Sequence, residues 1–509
     1  MASKKRFAFN VVMNWTAMAV GMLIPFFLTP VVVRHLGATA YGIWILAVST
    51  VSYLNILDLG LRSAIIRFVS KAEAQHDTEE IKRSVGAALW FRLLISAGVG
   101  ILSLALAVAF PHLFHIPCDL QRSAQITVLL CALGVSITLT AGVFSAVLAA
   151  VHRFDVLSSL TVGQTIARAS GVILILRSGH GLVALACWEF IVVLASGVLT
   201  CVVAWKIFPT CRVRVARPDI VTLKQIWSYS FTTFLFIIAV QVIMNTDNLV
   251  VGAFLSVGMV AYYSIGGSLI SYSGQVVSAL STTFAPLASG LDASGRSEDL
   301  KKLLLHGTQA TLALALPISW TLLFRGKTFI GLWMGHQYSE VSGTVLQILM
   351  ISQFFSVANT TAAAIMMAID KHKEVAKWSM IEAGLNLGFS ILLVRTIGIY
   401  GVAWGTSAVM ATIHLIFWPR YVRKVLRVPI RTYVWDGWLK ITLYSLPFAV
   451  TCALADRYLH AGSLVIFAGQ ILITIPIYGV FLLIGWRDEA MKLFARWKAS
   501  RTMQTEALL

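Results

Sequence analysis

The stretch YGIWILAVSTVSYLNILDLGLRSAIIRFVS, Tyr41–Ser70, is mostly apolar and longer than the roughly 20 residues with which a helix crosses a bilayer. It nevertheless carries Asn55, Asp58 and Arg62 in its interior. On one continuous helix these side chains fall within about 60° of each other, and Asp58 and Arg62 have the i,i+4 order that favours an ion pair. Because charge is costly against lipid, we expect them to face protein or water. They form either a self-neutralised structural pair or the polar wall of a cavity.

The composition of the whole chain agrees with a membrane location. Of its 509 residues, 58% are hydrophobic and 12% are charged, whereas average soluble domains are about 25% charged. The N-terminal MASKKRFAFN resembles the start of a signal peptide. However, the apolar stretch after it runs to about Val33 without an A-x-A-like site, which indicates a retained first span. We therefore expect an all-α polytopic membrane protein.

About fourteen apolar spans are long enough to be transmembrane helices. They run over 9–34, 41–69, 84–109, 124–149, 158–177, 182–205, 226–252, 259–288, 303–325, 343–369, 378–395, 401–419, 438–455 and 463–486. With the N-terminus inside, the inner segments hold 29 of the 40 Lys and Arg residues and the outer segments hold 7. This asymmetry satisfies the positive-inside rule and predicts that both termini are cytoplasmic. It also accounts for much of the net charge of +18 without nucleic acid.

The cysteines and histidines follow no ligand pattern. None of the six cysteines stands in a C-x-x-C pair, so the sequence supports neither a disulfide framework nor a zinc site. The eleven histidines include no H-E-x-x-H pattern. We expect no cofactor beyond a coupling ion, either H⁺ or Na⁺.

An internal repeat divides the chain. Three landmarks of the first half recur in the second at offsets of 218 to 221 residues. They are Ala40-Tyr41 with Ala261-Tyr262, DTEEIKR with RSEDLKK, and LRSGHG with VRTIGIYG. The repeat unit is six spans, and because six is even, both copies share one orientation. We therefore expect two six-helix lobes related by a pseudo-two-fold axis along the membrane normal, with the substrate site at their interface.

The domain prediction follows from this repeat. We expect an N-terminal lobe over 1–206, a cytoplasmic linker over 207–225, a C-terminal lobe over 226–420 and a cytoplasmic loop over 421–437. Two extra spans and a cytoplasmic tail occupy 438–509.

Span 8 carries the longest polar stripe. It consists of Ser264, Ser268, Ser271, Gln275, Ser278 and Thr282. These residues stay within about 80° of one helix face. Such a stripe is either a helix-packing face, where hydroxyls and small residues are common, or the wall of a hydrated cavity.

In-span charge differs between the two halves. The first half carries four arginines, Arg62, Arg67, Arg92 and Arg168, against the acids Asp58 and Glu189, and the second carries the acids Asp247 and Glu382 with no interior Lys or Arg. Arg168 has no acid at i±3 or i±4, which makes it the cleaner test of a cationic cavity. The predicted cavity residues are Asn55, Asp58, Arg62, Arg92, Gln164, Arg168, Gln241, Asn245, Ser271, Gln275, Ser278, Glu382 and Asn386. The predicted coupling-ion residues are Asp58, Asp247 and Glu382.

Two consecutive segments, LTPVVVRHLGATAYGIW and LDLGLRSAIIRFVSKAEAQHD, carry a family resemblance. They resemble the polysaccharide-biosynthesis exporters of the multidrug/oligosaccharidyl-lipid/polysaccharide exporter superfamily. Those proteins share a short outer LG-x-x-x-YG turn, here Leu36-Gly37 and Tyr41-Gly42, and an LDLGL-x-x-A segment, here Leu57–Leu61 and Ala64. The motif match covers residues 25–85, and the span count extends it over the chain.

The resemblance implies a bacterial inner-membrane flippase, which is a transporter and not an enzyme. Its substrate would be an undecaprenyl-pyrophosphate-linked oligosaccharide, moved from the cytoplasmic to the periplasmic leaflet by alternating access. It also implies membrane lipids and a polysaccharide polymerase or other assembly proteins as partners, with no nucleic acid. Such a substrate needs cations for its phosphates, hydroxyl and amide groups for its sugars, and a lateral opening for its lipid.

Two other functions fit part of the pattern. A multidrug or organic-cation antiporter of the same superfamily would favour interior acids, which Asp58, Asp247 and Glu382 supply. An integral-membrane glycan-modifying enzyme would need a substantial outer catalytic loop or a convergent site of His and acid. The longest predicted outer loops, 110–123 and 326–342, are short, and the repeat favours a transporter.

Overall fold

The computed structural model describes residues 2–213 and 220–485, with side chains at 12–213 and 234–485. Part of the predicted linker, at 214–219, and the tail beyond 485 lie outside the described residues. The helices are α1 (Ala2–Ser52), α2 (Leu61–Ala74), α3 (Thr78–Leu113), α4 (Gln121–Ala150), α5 (Phe154–Arg177), α6 (Leu182–Ile207), α7 (Ile220–Phe254), α8 (Val257–Ser281), α9 (Phe284–Ala293), α10 (Ser297–Trp333), α11 (His336–Ala368), α12 (Lys373–Ile397), α13 (Ile399–Leu426), α14 (Ile430–Val434), α15 (Lys440–Tyr458) and α16 (Leu464–Gly485).

The prediction of an all-α polytopic membrane protein is confirmed. Within the described ranges, twelve helical stretches are long and apolar enough to cross a membrane. The first of them, Val12–Ala74, contains the first two predicted spans on either side of a bend at Gly37, where φ is 75°. The polar helix α8 is not among the twelve, although it coincides with most of predicted span 8. Each of the fourteen predicted spans therefore overlaps a helix.

The second predicted span, 41–69, is not one continuous helix. α1 ends at Ser52, Tyr53–Asp58 forms a 3₁₀ helix, and Leu59 and Gly60 adopt left-handed φ angles of 52° and 72° before α2 begins. Gly60 has no Cβ and takes this conformation at little cost. The prediction that Asn55, Asp58 and Arg62 share one helix face is wrong, because it assumed a regular rotation of 100° per residue through this break.

The internal repeat extends to the backbone conformation of the turns. Left-handed residues end corresponding helices in the two halves at offsets of 218 to 220. The pairs are His76 and Gly295, His115 and Gly335, His152 and Asp370, and Gly179 and Gly398. The break at Leu59–Gly60 is different. At the corresponding place α8 continues to Ser281, and Thr283 before α9 keeps a right-handed φ of −69°.

The described chain forms two compact units. The first comprises described residues among 1–265 and 376–406, and the second comprises those among 266–375 and from 407 onward. These units do not follow the predicted boundaries at 206 and 226, and the predicted lobes stay a prediction.

In the first unit, the packing of α2 determines the rotation of this helix, and with it the side on which Arg62 lies. Leu61, Ile65 and Val69 on α2 are buried in one hydrophobic cluster that includes Val85 of α3 and Val147 of α4. Arg62 lies one residue past Leu61, off this buried face, and is exposed. Burial of apolar area at about 25 cal/mol per Å² holds α2 in this rotation.

In the second unit, the last two helices, α15 and α16, form polar contacts with α10. Arg325 of α10 is 0% exposed and donates to Gln470 Oε1 of α16 at 2.5 Å. Its guanidinium lies 4.5 Å from the ring centroid of Phe467. Thr328 donates to Asp456 Oδ1 of α15 at 2.7 Å. Polar contacts to α10 therefore hold both helices that lie outside the repeat, through the buried Arg325 for α16 and through an exposed hydrogen bond for α15.

Candidate functional site: two adjoining compartments and a buried acid

Two cavities lie inside the first unit, among α1, α4, α5 and α6. The apolar compartment, of about 590 Å³, is lined mainly by aliphatic and aromatic side chains. The polar compartment, of about 540 Å³, is lined by Asp58, Arg62 and several hydroxyl groups. The residues common to both linings are Asn55, Thr138, Gln164 and Val193. The compartments adjoin, and each of them has the size of a ligand site, for which roughly 300–1,000 Å³ is usual.

Five of the predicted cavity residues line these compartments. They are Asn55, Asp58, Arg62, Gln164 and Arg168. Asn55 Nδ2 donates to Ser52 O at 3.1 Å, which ties this amide to the last turn of α1. The break at Leu59–Gly60 therefore brings Asp58 and Arg62 to one cavity without placing them on one helix.

Asp58 is paired with Arg92 and not with Arg62. Arg92 Nη2 of α3 donates to Asp58 Oδ1, and Arg92 itself is 1% exposed. It therefore lies behind the cavity wall. The predicted i,i+4 pair of Asp58 with Arg62 is wrong, because the left-handed turn between them removes the helical spacing on which that pair depends.

Arg168 is also neutralised, by a partner that no local spacing indicates. Its Nε and Nη2 donate to the two carboxylate oxygens of Glu189 on α6, both at 2.6 Å. The prediction that Arg168 is the cleaner test of a cationic cavity is wrong. α5 and α6 meet closely here because Gly171 leaves room for Trp188, whose ring would lie 1.9 Å from an added Cβ. Trp188 Nε1 also donates to Ala167 O at 3.2 Å.

These two ion pairs leave Arg62 as a cation without a counter-ion. Its side chain is exposed, and among the described residues nothing accepts a hydrogen bond or ion pair from it. The planar guanidinium suits bidentate binding of a phosphate. Gln164 and Thr161, which line the same compartment, offer an amide and a hydroxyl.

Gln241 and Asn245 of α7 belong to a polar seam between α7 and the end of α1. The seam consists of the hydrogen bonds from Gln241 Nε2 to Ser52 O (3.0 Å), between Tyr53 and Thr246 (2.5 Å), and from Asn248 Nδ2 to Ser49 Oγ (3.1 Å). Asn245 Nδ2 donates to Gln241 Oε1 at 2.8 Å and orients it. The sequence singled out Gln241 and Asn245 as cavity residues, but the structure uses both of them to hold two helices together.

A buried acid cluster lies deeper in the first unit. Asp247 Oδ2 of α7 accepts hydrogen bonds from Tyr263 Oη at 2.6 Å and Thr406 Oγ1 at 2.8 Å. Asn386 Nδ2 of α12 donates to Thr406 Oγ1 at 3.1 Å. Asp247 is 8% exposed and Asn386 2%. Glu382, 7% exposed, lies one turn before Asn386 on α12.

Two oxygens of this cluster are unused. Asp247 Oδ1 and Asn386 Oδ1 are buried and have no hydrogen-bond partner among the described residues. In that part of the chain no basic side chain pairs with Asp247. Tyr263 and Thr406 were missed by sequence reasoning, since a lone tyrosine or threonine in a span gives no signal beyond ordinary packing.

From Ser268 onward the predicted stripe on α8 lies in the second unit, whereas Ser264 lies in the first. Ser271, Gln275 and Ser278 are exposed there, whereas Leu269 and Val277 beside them are buried. A face that only packs against another helix would be buried. The assignment of this stripe to a hydrated cavity stays a prediction.

Comparison with known proteins identifies a family and two relatives that the chain resembles. A family model described as "Polysaccharide biosynthesis protein" matches residues 7–291. "Uncharacterized membrane protein EpsK" of Bacillus subtilis (strain 168) is 24% identical over 440 residues, covering 82% of this chain and 84% of that protein. "Putative O-antigen transporter" of Shigella flexneri is 21% identical over 407 residues, covering 79% of this chain and 94% of that protein.

Solved structures share the fold. Lipid II flippase MurJ in an inward closed conformation has a TM-score of 0.69 at 18% identity, covering 94% of this chain and 99% of that one. An inward-facing MATE family multidrug resistance transporter of the MOP superfamily has a TM-score of 0.68 at 15% identity, covering 82% and 99%. The chain shares the fold of these two solved structures, and its twelve membrane-length helices are those of a multi-pass membrane protein. Because the family model covers more than half of it, the chain belongs to the polysaccharide biosynthesis protein family.

Proposed function

We propose that this protein is a flippase for an undecaprenyl-pyrophosphate-linked oligosaccharide. In this proposal it moves the substrate from the cytoplasmic to the periplasmic leaflet of a bacterial inner membrane by alternating access, coupled to H⁺ or Na⁺, with both termini in the cytoplasm. The family and the fold shared with MurJ support a lipid-linked substrate. The observation that carries the proposal is Arg62, a guanidinium in the wall of a cavity of the first unit that pairs with no acid among the described residues.

The polar compartment has the chemistry that such a head group requires. Arg62 would hold a phosphate by charge and by two parallel donors. Gln164 and Thr161 would bond sugar hydroxyls. The arginines Arg92 and Arg168 are each occupied by an acid and would contribute by shaping the wall and not by binding the phosphate.

The same charges weigh against an organic-cation substrate. Such a ligand needs a free carboxylate in the cavity wall. The acids that line the two compartments, Asp58 and Glu189, are each paired with an arginine. The organic-cation alternative thus finds no available anion among the described lining residues.

Replacement of Arg62 tests the proposal. We expect Arg62→Ala to abolish delivery of surface polysaccharide per molecule of membrane-embedded protein in a strain that lacks the native gene. Arg62→Lys should be intermediate, because lysine keeps the charge and loses the bidentate geometry. Arg177→Ala, at an exposed arginine on the end of α5, is the matched control and should export normally. Normal export by Arg62→Ala would exclude a phosphate at this side chain.

The buried acid cluster supports the coupling part of the proposal. An intramembrane carboxylate without a basic partner is costly unless a proton or a cation neutralises it. Asp247 Oδ1 and Asn386 Oδ1 are the unused oxygens, and hard cations favour oxygen ligands. Asp247 is therefore the leading coupling-ion residue. Asp58, which Arg92 neutralises, is the weaker one, and Glu382 remains a second candidate on the same helix as Asn386.

Reconstituted vesicles test the coupling. Wild-type protein should accumulate lipid-linked oligosaccharide in the far leaflet when a Na⁺ or a pH gradient is imposed, and the effective gradient identifies the ion. Asp247→Asn should remove this response. Asp292→Asn, at an exposed acid on α9, is the control and should keep it. A gradient response that survives Asp247→Asn would move the coupling site away from this cluster.

A further inference from the structure

We infer that a groove on the outer surface of the first unit, among α3, α4 and α6, binds an acyl chain of a membrane phospholipid. The groove has a volume of about 480 Å³. No charged side chain stands among its described lining residues. It is distinct from the polar and apolar compartments, and the inference does not depend on the transported substrate.

The position of the groove determines the kind of occupant. Its rim on α6 carries Val198, 55% exposed, with Val202 and Trp205, both 37% exposed. All three lie in a stretch apolar enough to cross a membrane, so the medium that meets them is the hydrocarbon of the bilayer. Trp205 stands near the end of α6, where tryptophan is favoured at the level of the lipid head groups.

The three hydroxyl groups that line the groove all form hydrogen bonds within the protein. Ser96 Oγ donates to Ser136 O at 3.0 Å, and Ser136 Oγ donates to Ser96 O at 3.2 Å. Thr140 Oγ1 lies 3.0 Å from Ser96 Oγ and donates to Ser136 O at 3.0 Å. These hydroxyls tie α3 to α4 and present an internally satisfied surface, which suits a hydrocarbon chain.

The groove and the polar compartment share part of one wall. Ala141 of α4 and Gly197 of α6 line both the groove and that compartment. The helices touch here, since a Cβ added at Gly197 would lie 2.9 Å from Ile137 Cγ2. Two small residues therefore stand between the groove and the polar compartment that Asp58 and Arg62 line. An acyl chain seated in the groove thickens this wall and seals the polar interior against the membrane.

Photo-crosslinking in lipid nanodiscs tests the site. The probe is phosphatidylethanolamine with a diazirine on one acyl chain, and adducts are mapped by mass spectrometry of peptides. We expect adducts concentrated on groove residues such as Cys201 and Val202, beyond those on the equally lipid-facing Ile101 and Val108 of α3, which are 74% and 65% exposed. Equal labelling of the two surfaces would overturn the inference.

Variants in which a larger side chain fills the groove are compared with a matched variant outside it. Val198→Trp should remove the groove adducts, whereas Ile101→Trp should leave them in place. Val202→Phe is a second filling variant in case the larger side chain disturbs the fold, which size-exclusion chromatography would report. Groove adducts that persist in both filling variants would contradict the site. Unlabelled phospholipid and unlabelled polyprenyl phosphate serve as competitors. If only the polyprenyl phosphate displaces the adducts, the assignment to a phospholipid acyl chain is overturned, and the occupant is the substrate's own lipid.

Discussion

The segment around Asp58 in the first half and helix α8 in the second half occupy equivalent places in the repeat, yet they use opposite solutions for polar residues in a membrane. The first breaks its backbone at Leu59–Gly60 and neutralises a carboxylate with Arg92 from another helix. The second keeps a right-handed backbone and carries hydroxyls and glycines. Charge requires a partner at a fixed position, whereas a hydroxyl can bond to its own helix, as Ser273 Oγ does to Ile270 O at 2.8 Å.

The same contrast holds for the acids inside the membrane-spanning segments. Asp58 and Glu189 in the first half each meet an arginine on a neighbouring helix. Asp247 in the second half of the sequence accepts hydrogen bonds from hydroxyl groups, among them those of Tyr263 and Thr406, and pairs with no arginine or lysine among the described residues. A full ion pair fixes the charge of both partners, whereas hydroxyl donors permit a proton or cation to come and go. The first arrangement suits a permanent wall and the second suits a coupling site.

The largest effect is expected from breaking the pair behind the wall. Arg92→Met should destabilise the protein by about 3–5 kcal/mol, because it strands Asp58 in a half-buried position. Asp58→Asn combined with Arg92→Met should restore most of the loss. Arg62→Met, in contrast, should change stability by less than about 0.5 kcal/mol, as is usual for exposed side chains without partners.

Thermal unfolding of purified protein, followed by the monodisperse fraction on size exclusion, measures these differences. Equal losses in Arg92→Met and Arg62→Met would mean that Asp58 depends on both arginines, and the assignment of Arg62 as a free cation would fail.

Alanine substitutions at two glycines, one at the backbone break and one inside α8, should give smaller effects of opposite sign to each other. Gly60→Ala should destabilise by about 1–2 kcal/mol, because alanine is strained at a φ of 72°. Gly267→Ala on α8 should stabilise by about 0.5–1 kcal/mol, because glycine is unfavourable inside a helix and no atom lies within 4 Å of an added Cβ. The same unfolding assay measures both. Stabilisation by Gly60→Ala would show that the break is not maintained in the folded protein.

The smallest perturbation probes only access of water to α8. Single cysteines at Ser271, Gln275 and Ser278 in a cysteine-free background should react with a membrane-impermeant maleimide. Cysteines at the buried Leu269 and Val277 should react slowly. Uniform reactivity around the helix would indicate that α8 does not face a cavity, and the stripe would then be a packing surface.

Much of the fold is written in the sequence itself. Runs of apolar residues determine which segments span the membrane, because each must satisfy its backbone hydrogen bonds internally. The repeat can be recognised in the sequence because corresponding helices have to end at the same level of the membrane. Left-handed residues such as His152 and Asp370 end such corresponding helices. Asn55, Arg62 and Gln164 were recognised as cavity residues because polar side chains in spans avoid lipid.

Only the tertiary structure determines which charged side chains form ion pairs and which do not. Arg168 has no acid within a turn, and Glu189 lies 21 residues away on the next helix, so the pairing depends on how α5 and α6 meet at Gly171. Asp58 lost its local partner because two left-handed residues redirected the chain. Helical periodicity predicts neighbours within one continuous helix, but contacts between helices depend on packing. Packing places Arg92 beside Asp58, so that Arg62 in the cavity wall pairs with no acid among the described residues.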